Sequence, residues 1–569
     1  MCGIFAVLNM IQSRKSIDIT KQFMMGQFRG PDSHTLKYLK NINSYIGFHR
    51  LPINGYKDPD AEQPFNIDNI KLICNGEIYN FKQLYKVLDV EPNSSSDCEV
   101  IIHMYKKYGI EQTLQMLDGV FAFILLDFNT NQIFVARDTY GIRPLFCNVS
   151  EYYSNEHGTR TTYALASELK SIDVFDGDSC EIKQFEPGCC SVFNIDETNK
   201  GQKINYNKTF VFARPDGFSN LTDNTPYEKI LENVFSHLEQ AVIKRVDNTE
   251  RDIACLLSGG LDSSIICALV KKHHKGTLHT WSIGFEGSED LKYAKMVADH
   301  IGSVHHSIQV SEQEFLGYIP QVVRAIESYD TTTVRASVGN WLICKYIREK
   351  SDAKVIFNGD GSDEVMGGYL YFHASPDCIA FDKECRKLLA NIHFFDVLRS
   401  DRSISSHGLE ARTPFLDRKF VQYYLSINPN LRDHASQNKP EKYIIREAID
   451  MYSPGLLPSD VLWRTKEAFS DGVSGEKKAW FEVIQHHIKE NVYSHMLDSK
   501  GEIIKDMNPY YYNKPETLEQ LYYRDLFYEN FKNNCSKKCL PYFWMPNFVE
   551  ATDASARTLQ VYKEIAESN

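Results

Sequence analysis

The chain has 569 residues, of which 43% are hydrophobic and 24% charged, a composition typical of a large globular protein with more than one domain. Its 63 basic and 75 acidic residues give a formal net charge of −12, which disfavours a nucleic-acid partner and favours a small substrate. No apolar stretch approaches the roughly 18 residues of a membrane span, and no basic region precedes the N-terminal apolar run. With fourteen scattered cysteines, these features predict free thiols and a cytoplasmic location without a membrane association.

The first part of the chain, residues 2–195, is predicted to be an α+β domain. Runs of apolar and β-branched residues predict strands at 2–9, 45–51 and 71–80 and a hairpin over 119–138. Apolar residues three and four apart predict helices at 19–28 and 98–109. Residues 196–225 are rich in Asn, Thr, Asp and Gly and are interpreted as a surface linker.

Residues 226–540 alternate between short apolar runs and helical stretches, as in 252–274 and 278–309. This alternation predicts a doubly wound parallel sheet of the α/β class. Helical patterns dominate after about residue 380. Residues 541–569 contain no recognisable motif and are treated as a C-terminal tail.

Cys2 directly follows Met1 at the start of an apolar strand. A cysteine in such a strand is ordinarily a small buried hydrophobe. If Met1 is removed, however, Cys2 carries both a thiol nucleophile and a free α-amino group that can act as a base. The rest of the sequence has to decide between these two interpretations.

The segment SGGLDS, Ser258–Ser263, lies between a predicted strand and a predicted helix. Its two glycines let the backbone approach an anion, and the helix N-terminus adds partial positive charge, which together suit a phosphate. Asp262 would repel phosphate unless a divalent cation lay between them, so Mg²⁺ is inferred as the cofactor. The alternative is a helix-entry turn in which Asp262 only caps the helix.

A second Gly- and Asp-rich segment, 358–369, follows the predicted strand at 354–357. Loops at the carboxyl ends of parallel strands face the same crevice, so Asp363 is predicted to complete the metal site with Asp262. Taken alone, such a segment is as readily a surface turn.

Together the two halves resemble the glutamine-hydrolysing asparagine synthetases over nearly the whole chain. The N-terminal half carries the family's motifs at Cys2, at Arg50 and Leu51, at NGEIYN (75–80) and at Asp97. The resemblance implies an αββα sandwich of the N-terminal-nucleophile hydrolase type, followed by an ATP-pyrophosphatase-type domain. The implied substrates are L-glutamine, L-aspartate and ATP; the oligomeric state stays open, with a homodimer among the alternatives.

In the first domain, the resemblance implies that Cys2 attacks the side-chain amide of glutamine. Asn75 and Gly76 are suited to hold the oxyanion. Arg50 is suited to bind the α-carboxylate, next to Leu51, while Glu77 and Asp97 bind the α-ammonium. Each assignment depends on the ordered set, because an isolated Arg or Asp is usually a solvated surface charge.

In the second domain, the resemblance implies that ATP adenylates the β-carboxylate of aspartate and that ammonia then displaces AMP. The nucleotide site is expected to contain Leu256, Ser258, Gly259, Gly260, Asp262, Ser263, Ile283, Asn358 and Gly359. Donors to the phosphates or the developing charge are expected from Thr332, Arg335 and Lys466. The motif GLEARTPFLD (408–417) is expected to shape the aspartate pocket, and an internal passage is implied for ammonia.

Two features depart from the family pattern. Asp360 stands where the family usually has Glu in Ser-Gly-Glu, and Asp is shorter by one methylene. Asp360 is expected to act in catalysis, and a displacement of about 1 Å can cost roughly a hundredfold in rate. The segment 54–62 reads as an insertion in the loop after Leu51.

Two other functions stay open. A related synthetase could act on another carboxylate, although the segments around Thr332 and Lys466 favour aspartate. A descendant that is non-catalytic or uses only ammonia is favoured slightly by Asp360 and opposed by Cys2.

Overall fold

The computed structural model describes residues 1–11, 17–154, 158–198, 201–215, 217–222, 224–464, 479–494 and 510–560. The strands of these residues are β1 (Gly3–Leu8), β2 (Ser33–Leu39), β3 (Ser44–Arg50), β4 (Phe65–Ile67), β5 (Ile70–Ile78), β6 (Gly119–Asp127), β7 (Gln132–Arg137), β8 (Phe146–Ser154), β9 (Gly158–Ala166), β10 (Ser179–Gln184), β11 (Cys189–Thr198), β12 (Gly201–Val211), β13 (Ile253–Leu256), β14 (His279–Gly284), β15 (Val304–Gln309), β16 (Val355–Phe357) and β17 (Glu410–Arg412).

The helices of the same residues are α1 (Ile19–Met24), α2 (Phe81–Leu88), α3 (Val100–Met116), α4 (Tyr227–Asp247), α5 (Leu261–His273), α6 (Glu289–Ile301), α7 (Glu312–Ile326), α8 (Thr331–Lys350), α9 (Ser362–Met366), α10 (Cys378–Asn391), α11 (Asp396–Ser405), α12 (Arg418–Ser426), α13 (Pro429–Arg432), α14 (Tyr443–Tyr452), α15 (Ser459–Leu462), α16 (Trp480–His487) and α17 (Leu518–Asn530). None of these helices is both long enough and apolar enough to cross a membrane.

The N-terminal domain is a sandwich of two antiparallel sheets. Their strand orders are β10-β8-β9-β1-β3-β2 and β12-β11-β7-β6-β5-β4. In β1, Ile4, Ala6 and Leu8 pack between the sheets against β6 and β7, while Phe5 and Val7 point to the opposite face and meet α1. Because both faces of β1 are covered, its sequence is continuously apolar rather than alternating.

The outer face of the second sheet is covered by α2 and α3, whose Leu84 and Ile101 pack against Phe121 and Phe123 of β6. The layers therefore run helix, sheet, sheet, helix. This arrangement agrees with the coarse α+β prediction for the first part of the chain.

The predicted linker over 196–225 is wrong in its first half. Residues Gly201–Val211 form β12, an edge strand paired antiparallel with β11. Ile204 of this strand is buried, whereas Lys203 and Asn205 on either side of it are both partly exposed. An edge strand needs few apolar residues and favours charged ones, so its composition resembles that of a loop.

The second domain contains a sheet of order β15-β14-β13-β16-β17, in which neighbouring strands are parallel. One face of β13 and β16 packs through Cys255 and Val355 against the core that includes α4 and α5. The other face packs through Ala254 and Ile356 against the core of α7 and α8. Helices on both faces confirm the predicted α/β class of the second domain. The strand order reverses at β13, where crevices at carboxyl ends of strands form.

The residues treated as a C-terminal tail belong to the second domain as far as the structure describes them, to residue 560. The backbone N–H of Trp544 donates to Asp330 at 2.7 Å, and Asp553 accepts from Arg335 at 2.7 Å. The segment therefore packs against the start of α8 instead of leaving the domain. No local motif indicates this packing, because the two contacts just given join residues more than two hundred positions apart.

Candidate active sites in the two domains

The first candidate site surrounds Cys2, just before β1. Its thiol lies 3.6 Å from the carbonyl oxygen of Leu51. Met1 is fully buried, and its amino group donates to the carbonyl of Leu409 at 3.2 Å. Burial lowers the pKa of that amine to about 5 and raises the pKa of the Cys2 thiol to about 12. With Met1 in place the thiol is therefore protonated, and Cys2 has no free α-amine.

Asn75 on β5 lies beside Cys2, and Gly76 follows it in the strand. In the amide orientation that satisfies both neighbours, the side-chain nitrogen of Asn75 donates to the Cys2 carbonyl at 3.0 Å and its oxygen accepts from Arg29 at 3.2 Å. A Cβ on Gly76 would lie 2.6 Å from the carbonyl oxygen of Val120 on β6. Glycine is therefore required here by the close approach of the two strands.

Arg50, at the end of β3, is held by the segment that reads as an insertion. Its guanidinium contacts Glu62 at 2.7 Å and donates to the carbonyl oxygen of Gly55 at 2.7 Å. The insertion thus forms a loop around Arg50. A substrate carboxylate binding there would have to replace Glu62.

Glu77 and Asp97 form a buried carboxylate pair, each 4% exposed. Asp97 accepts a hydrogen bond from the backbone N–H of Ile78 at 2.6 Å. Burial raises the pKa of Asp97 to about 6, and burial together with Asp97 raises the pKa of Glu77 well above its usual value. Two buried carboxylates that repel each other are stabilised by a nearby cation. The site therefore suits a positively charged ligand such as an α-ammonium group.

The second domain contributes directly to the position of Glu77. Its Oε2 accepts from Asn54 at 2.9 Å and from Asn248, just after α4, at 2.9 Å. Arg412 of β17 lies 3.2 Å away. The sequence did not predict Asn248 or Arg412 at this site, because neither belongs to a motif of the first domain.

The motif 408–417 was expected to shape the aspartate pocket, and the structure places it elsewhere. Glu410 pairs with Arg143 of the first domain at 3.4 Å, and the carbonyl oxygen of Leu409 accepts from the amino group of Met1 at 3.2 Å. The motif lies between the two domains, and none of its residues lines the large pocket of the second domain. The motif therefore contributes to packing between the two domains.

That large pocket opens at the carboxyl ends of β13 and β16. The residues predicted for the nucleotide and its phosphates that line it are Leu256, Ser258, Gly260, Asp262, Ser263, Ile283, Thr332, Asn358 and Gly359, together with Asp360 and Asp363. The structure thus brings nearly the whole predicted set to one crevice. The C-terminal segment adds Trp544 and Ser555 to its wall.

Gly259 does not line the pocket but shapes its loop. Its φ is +80°, and a Cβ there would lie 2.5 Å from the backbone nitrogen of Ala294. The carbonyl oxygen of Gly259 accepts from Arg464 at 3.2 Å. Arg464 also lines the pocket and places a cation beside the loop; it lies two residues before the predicted donor Lys466, but the sequence analysis did not assign it a role.

Asp262 and Asp363 meet as predicted, but around a lysine. The ammonium of Lys442 is 2.6 Å from Asp262 and 2.6 Å from Asp363. Two adjacent carboxylates beside a phosphate loop are a donor set that fits Mg²⁺. Within the described ranges there is no cluster of three or more His, Cys, Asp or Glu residues placed to hold a metal, so the remaining ligands would come from phosphates and water.

Asp360 is oriented by Arg399 of α11. The guanidinium contacts one oxygen of Asp360 at 2.9 Å and Asp396 at 2.8 Å. The other oxygen of Asp360 is buried without a hydrogen-bond partner in the described part of the chain. The arginine therefore fixes the shorter carboxylate at the edge of the pocket.

Of the predicted phosphate donors, Arg335 does not line the pocket. Arg335 was expected to donate to phosphates, but its guanidinium pairs with Glu519 at 2.5 Å and Asp553 at 2.7 Å, and the residue is 3% exposed. In this structure it fastens α17 and the C-terminal segment to α8. Lys466 lies outside the described residues.

Comparisons with known proteins cover both domains. A family model described as glutamine amidotransferase domain matches residues 1–193, and one described as asparagine synthase matches 233–381 and 379–539. Similar proteins named asparagine synthetase [glutamine-hydrolyzing] include those of Gallus gallus, 40% identical over 99% of both chains, Bos taurus, 38% identical over 100% of both, and Homo sapiens, 38% identical over 99% of both. The chain belongs to the family of the glutamine-hydrolysing asparagine synthetases.

Proposed function

We propose that the protein makes asparagine from aspartate, using glutamine as nitrogen donor and ATP as the activating nucleotide. The observation that carries this conclusion is that one chain places Asn75 and Leu51 around Cys2 in one domain and the SGGLDS loop around a pocket in the other. It is an ATP-dependent ligase that forms a carbon–nitrogen bond. In finer terms, we infer a hydrolase domain of the N-terminal-nucleophile type over 2–195 and an ATP-pyrophosphatase-type synthetase domain from 226.

In the first site, removal of Met1 gives Cys2 a free α-amine, which takes the thiol proton as the sulfur attacks the side-chain amide of glutamine. Asn75 and Gly76 donate to the oxyanion, and one such donor typically contributes about 3–4 kcal/mol. The proton returns to the leaving nitrogen and ammonia departs, leaving a thioester that water hydrolyses to glutamate. Glu77 and Asp97 hold the substrate's α-ammonium.

In the second site, the serines and backbone of the SGGLDS loop bind the β- and γ-phosphates at the N-terminus of α5. The β-carboxylate of aspartate attacks the α-phosphorus of ATP, and pyrophosphate leaves. Ammonia then attacks the activated carbonyl and AMP departs. Mg²⁺ held by Asp262 and Asp363 would supply neutralisation of phosphate charge. We infer that Asp360, whose carboxylate contacts Arg399, acts on the acyl-adenylate, and Lys466 is retained as a proposed donor.

Product analysis tests the proposal. Incubation with ATP, Mg²⁺, aspartate and glutamine should yield asparagine, glutamate, AMP and pyrophosphate in matching amounts. Formation of ADP would contradict adenylation. Replacing aspartate with other carboxylates tests the alternative of a related synthetase, and a faster reaction with any of them would favour it.

Substitution of the nucleophile separates the two sites. Cys2→Ala should abolish asparagine formation from glutamine while ammonia-dependent formation persists, because the second site does not use the thiol. Cys378→Ala, which removes a partly exposed thiol of the second domain, is the matched control and should leave both reactions intact. Equal loss of both reactions in Cys2→Ala would refute the separation.

A further inference from the structure

Cys180 and Cys535 bring two thiols together across the two domains. Cys180 lies in β10, and Cys535 directly precedes a short 3-10 turn, Ser536–Cys539. Their sulfurs are 2.7 Å apart, closer than the roughly 3.5 Å at which non-bonded heavy atoms ordinarily rest. Both residues are partly exposed. A small reagent can therefore reach a pair of sulfurs that already touch.

Hydrogen bonds around this pair hold the two cysteines next to each other. The side chain of Asn533 donates to the carbonyl oxygens of Asp173 at 3.0 Å and Phe175 at 3.1 Å. Its amide oxygen accepts from the backbone N–H of Cys535 at 2.9 Å, and Ser536 donates to the Asp173 carboxylate. The chain around Cys535 is thus fastened to the N-terminal domain on both sides of the thiol.

We propose that Cys180 and Cys535 form a modification site that exchanges with a low-molecular-weight disulfide such as oxidised glutathione and becomes a reversible interdomain disulfide. The Cys535 thiolate attacks the reagent, forming a mixed disulfide and releasing one glutathione. The Cys180 thiolate then attacks the Cys535 sulfur and expels the second glutathione. The two cysteines lose two electrons and two protons, and two molecules of reduced glutathione carry both away.

The other thiols of the chain make this site selective. Cys74 and Cys98 form a second pair and Cys255 and Cys267 a third, but all four residues are buried. Glutathione cannot reach them without unfolding. Cys539, four residues beyond Cys535, is also buried. Selective cross-linking therefore follows from exposure and contact together.

The linked segment leads to the wall of the nucleotide pocket. Trp544, nine residues beyond Cys535, lines that pocket and donates to Asp330. The disulfide would join the N-terminal domain covalently to the chain that forms this wall. It is thus a modification separate from the chemistry at Cys2.

Peptide mapping without reductant tests the site on the full-length protein. After incubation with oxidised glutathione, trypsin should release residues 171–183 linked to 533–537, two hydrogens lighter than the separate peptides. Trypsin cuts after Lys537 and Lys538, so Cys535 and Cys539 fall in different peptides. A 171–183 peptide linked to the peptide of Cys539, or Cys535 carrying glutathione with no cross-link, would overturn the proposal.

Thermal unfolding gives a second, independent readout. Oxidation should raise the unfolding midpoint by a few degrees, because a cross-link restricts the unfolded chain, and reductant should reverse the rise. Cys180→Ser and Cys535→Ser should remove both the rise and the linked peptide, whereas Cys539→Ser, the matched control, should keep them. An unchanged midpoint in a fully cross-linked sample would refute the role of the disulfide as an interdomain fastener.

Discussion

At the scale of single residues, the two candidate sites depend on groups whose charge is set by their neighbours. Cys2 is a protonated, partly buried thiol while Met1 is attached. Asp360 is a short carboxylate directed by Arg399. Both residue identities were visible in the sequence, but the surroundings of Cys2 and the contact of Asp360 with Arg399 were not.

The state of the N-terminus is the first prediction at this scale. Mass spectrometry of active protein should show a chain that begins at Cys2, because the proposed base is the α-amine that Met1 blocks. A variant that retains Met1 should form asparagine from ammonia but not from glutamine. Full glutamine-dependent activity with Met1 attached would contradict the proposed base.

Asp360 gives the second prediction. Asp360→Asn should lower ammonia-dependent asparagine formation roughly a hundredfold, because it removes the charge that Arg399 directs into the pocket, while glutamine hydrolysis persists. Asp360→Glu, which keeps the charge and matches the usual residue of the family, should retain activity. Steady-state rates of both half-reactions check this prediction. Loss of activity in Asp360→Glu but not in Asp360→Asn would refute it.

At the scale of elements, the second site is made by two loops in direct backbone contact. A Cβ on Gly359 would lie 2.8 Å from the backbone nitrogen of Ser263. The loop after β16 therefore touches the segment SGGLDS that follows β13, at the first turn of α5, with no room for a side chain. This contact, and not only the anion-binding role of glycine, accounts for a glycine at position 359.

Gly359→Ala should therefore weaken ATP binding, because the loops must separate by a few tenths of an ångström or more. We expect at least a tenfold rise in the ATP concentration for half-maximal rate with glutamine hydrolysis unchanged. Gly317→Ala is the control: a Cβ there meets nothing within 4 Å, and alanine in α7 should leave ATP use unaffected. An unaltered ATP dependence in Gly359→Ala would show that the loops adjust freely.

The elements that sequence predicted well are those with strong local patterns. The hairpin of β6 and β7 and the strand–loop–helix of β13 and α5 appear where apolar runs and glycines indicated them. Strand β12 and the C-terminal segment were missed, because each depends on a partner distant in sequence. For the same reason the sequence did not predict Asn248 and Lys442. These residues complete the two sites but belong to no motif.

At the scale of the whole molecule, buried ion pairs join the domains. Glu168 of the N-terminal domain contacts Arg402 of α11, and Arg402 lies 3.2 Å from Glu327. Arg29 pairs with Asp401 at 2.6 Å. A buried charge without its partner would lower the stability of the fold. Each domain therefore depends on the other for the ion pairs that neutralise its buried charges.

The pH dependence of this interface follows from Glu168. Burial alone would raise its pKa, but Arg402 and Lys170 outweigh burial and hold the pKa at about 2, below the usual 4.5. A lowered pKa stabilises the fold above pH 4.5, and that stabilisation is lost as the pH falls towards 2. Glu168→Gln should therefore destabilise the protein by about 3–5 kcal/mol at pH 7, with a difference that shrinks below pH 4.5.

Thermal midpoints measured from pH 7 down to the limit of folding check this prediction. Glu181→Gln is the matched control, because Glu181 pairs with Lys183 at the surface with 62% of its side chain exposed, and such pairs contribute little. A constant difference between Glu168→Gln and the parent at all pH values would show that the effect comes from packing and not from charge.

The packing of residues 544–559 against the nucleotide pocket has a consequence for biosynthesis. A ribosome must have polymerised more than five hundred residues before Trp544 and Ser555 can line that pocket, and Asn248 and Arg412 likewise follow the entire first domain. A partly translated polypeptide therefore has neither a complete ATP crevice nor, until Arg412 emerges, a fully supported Glu77.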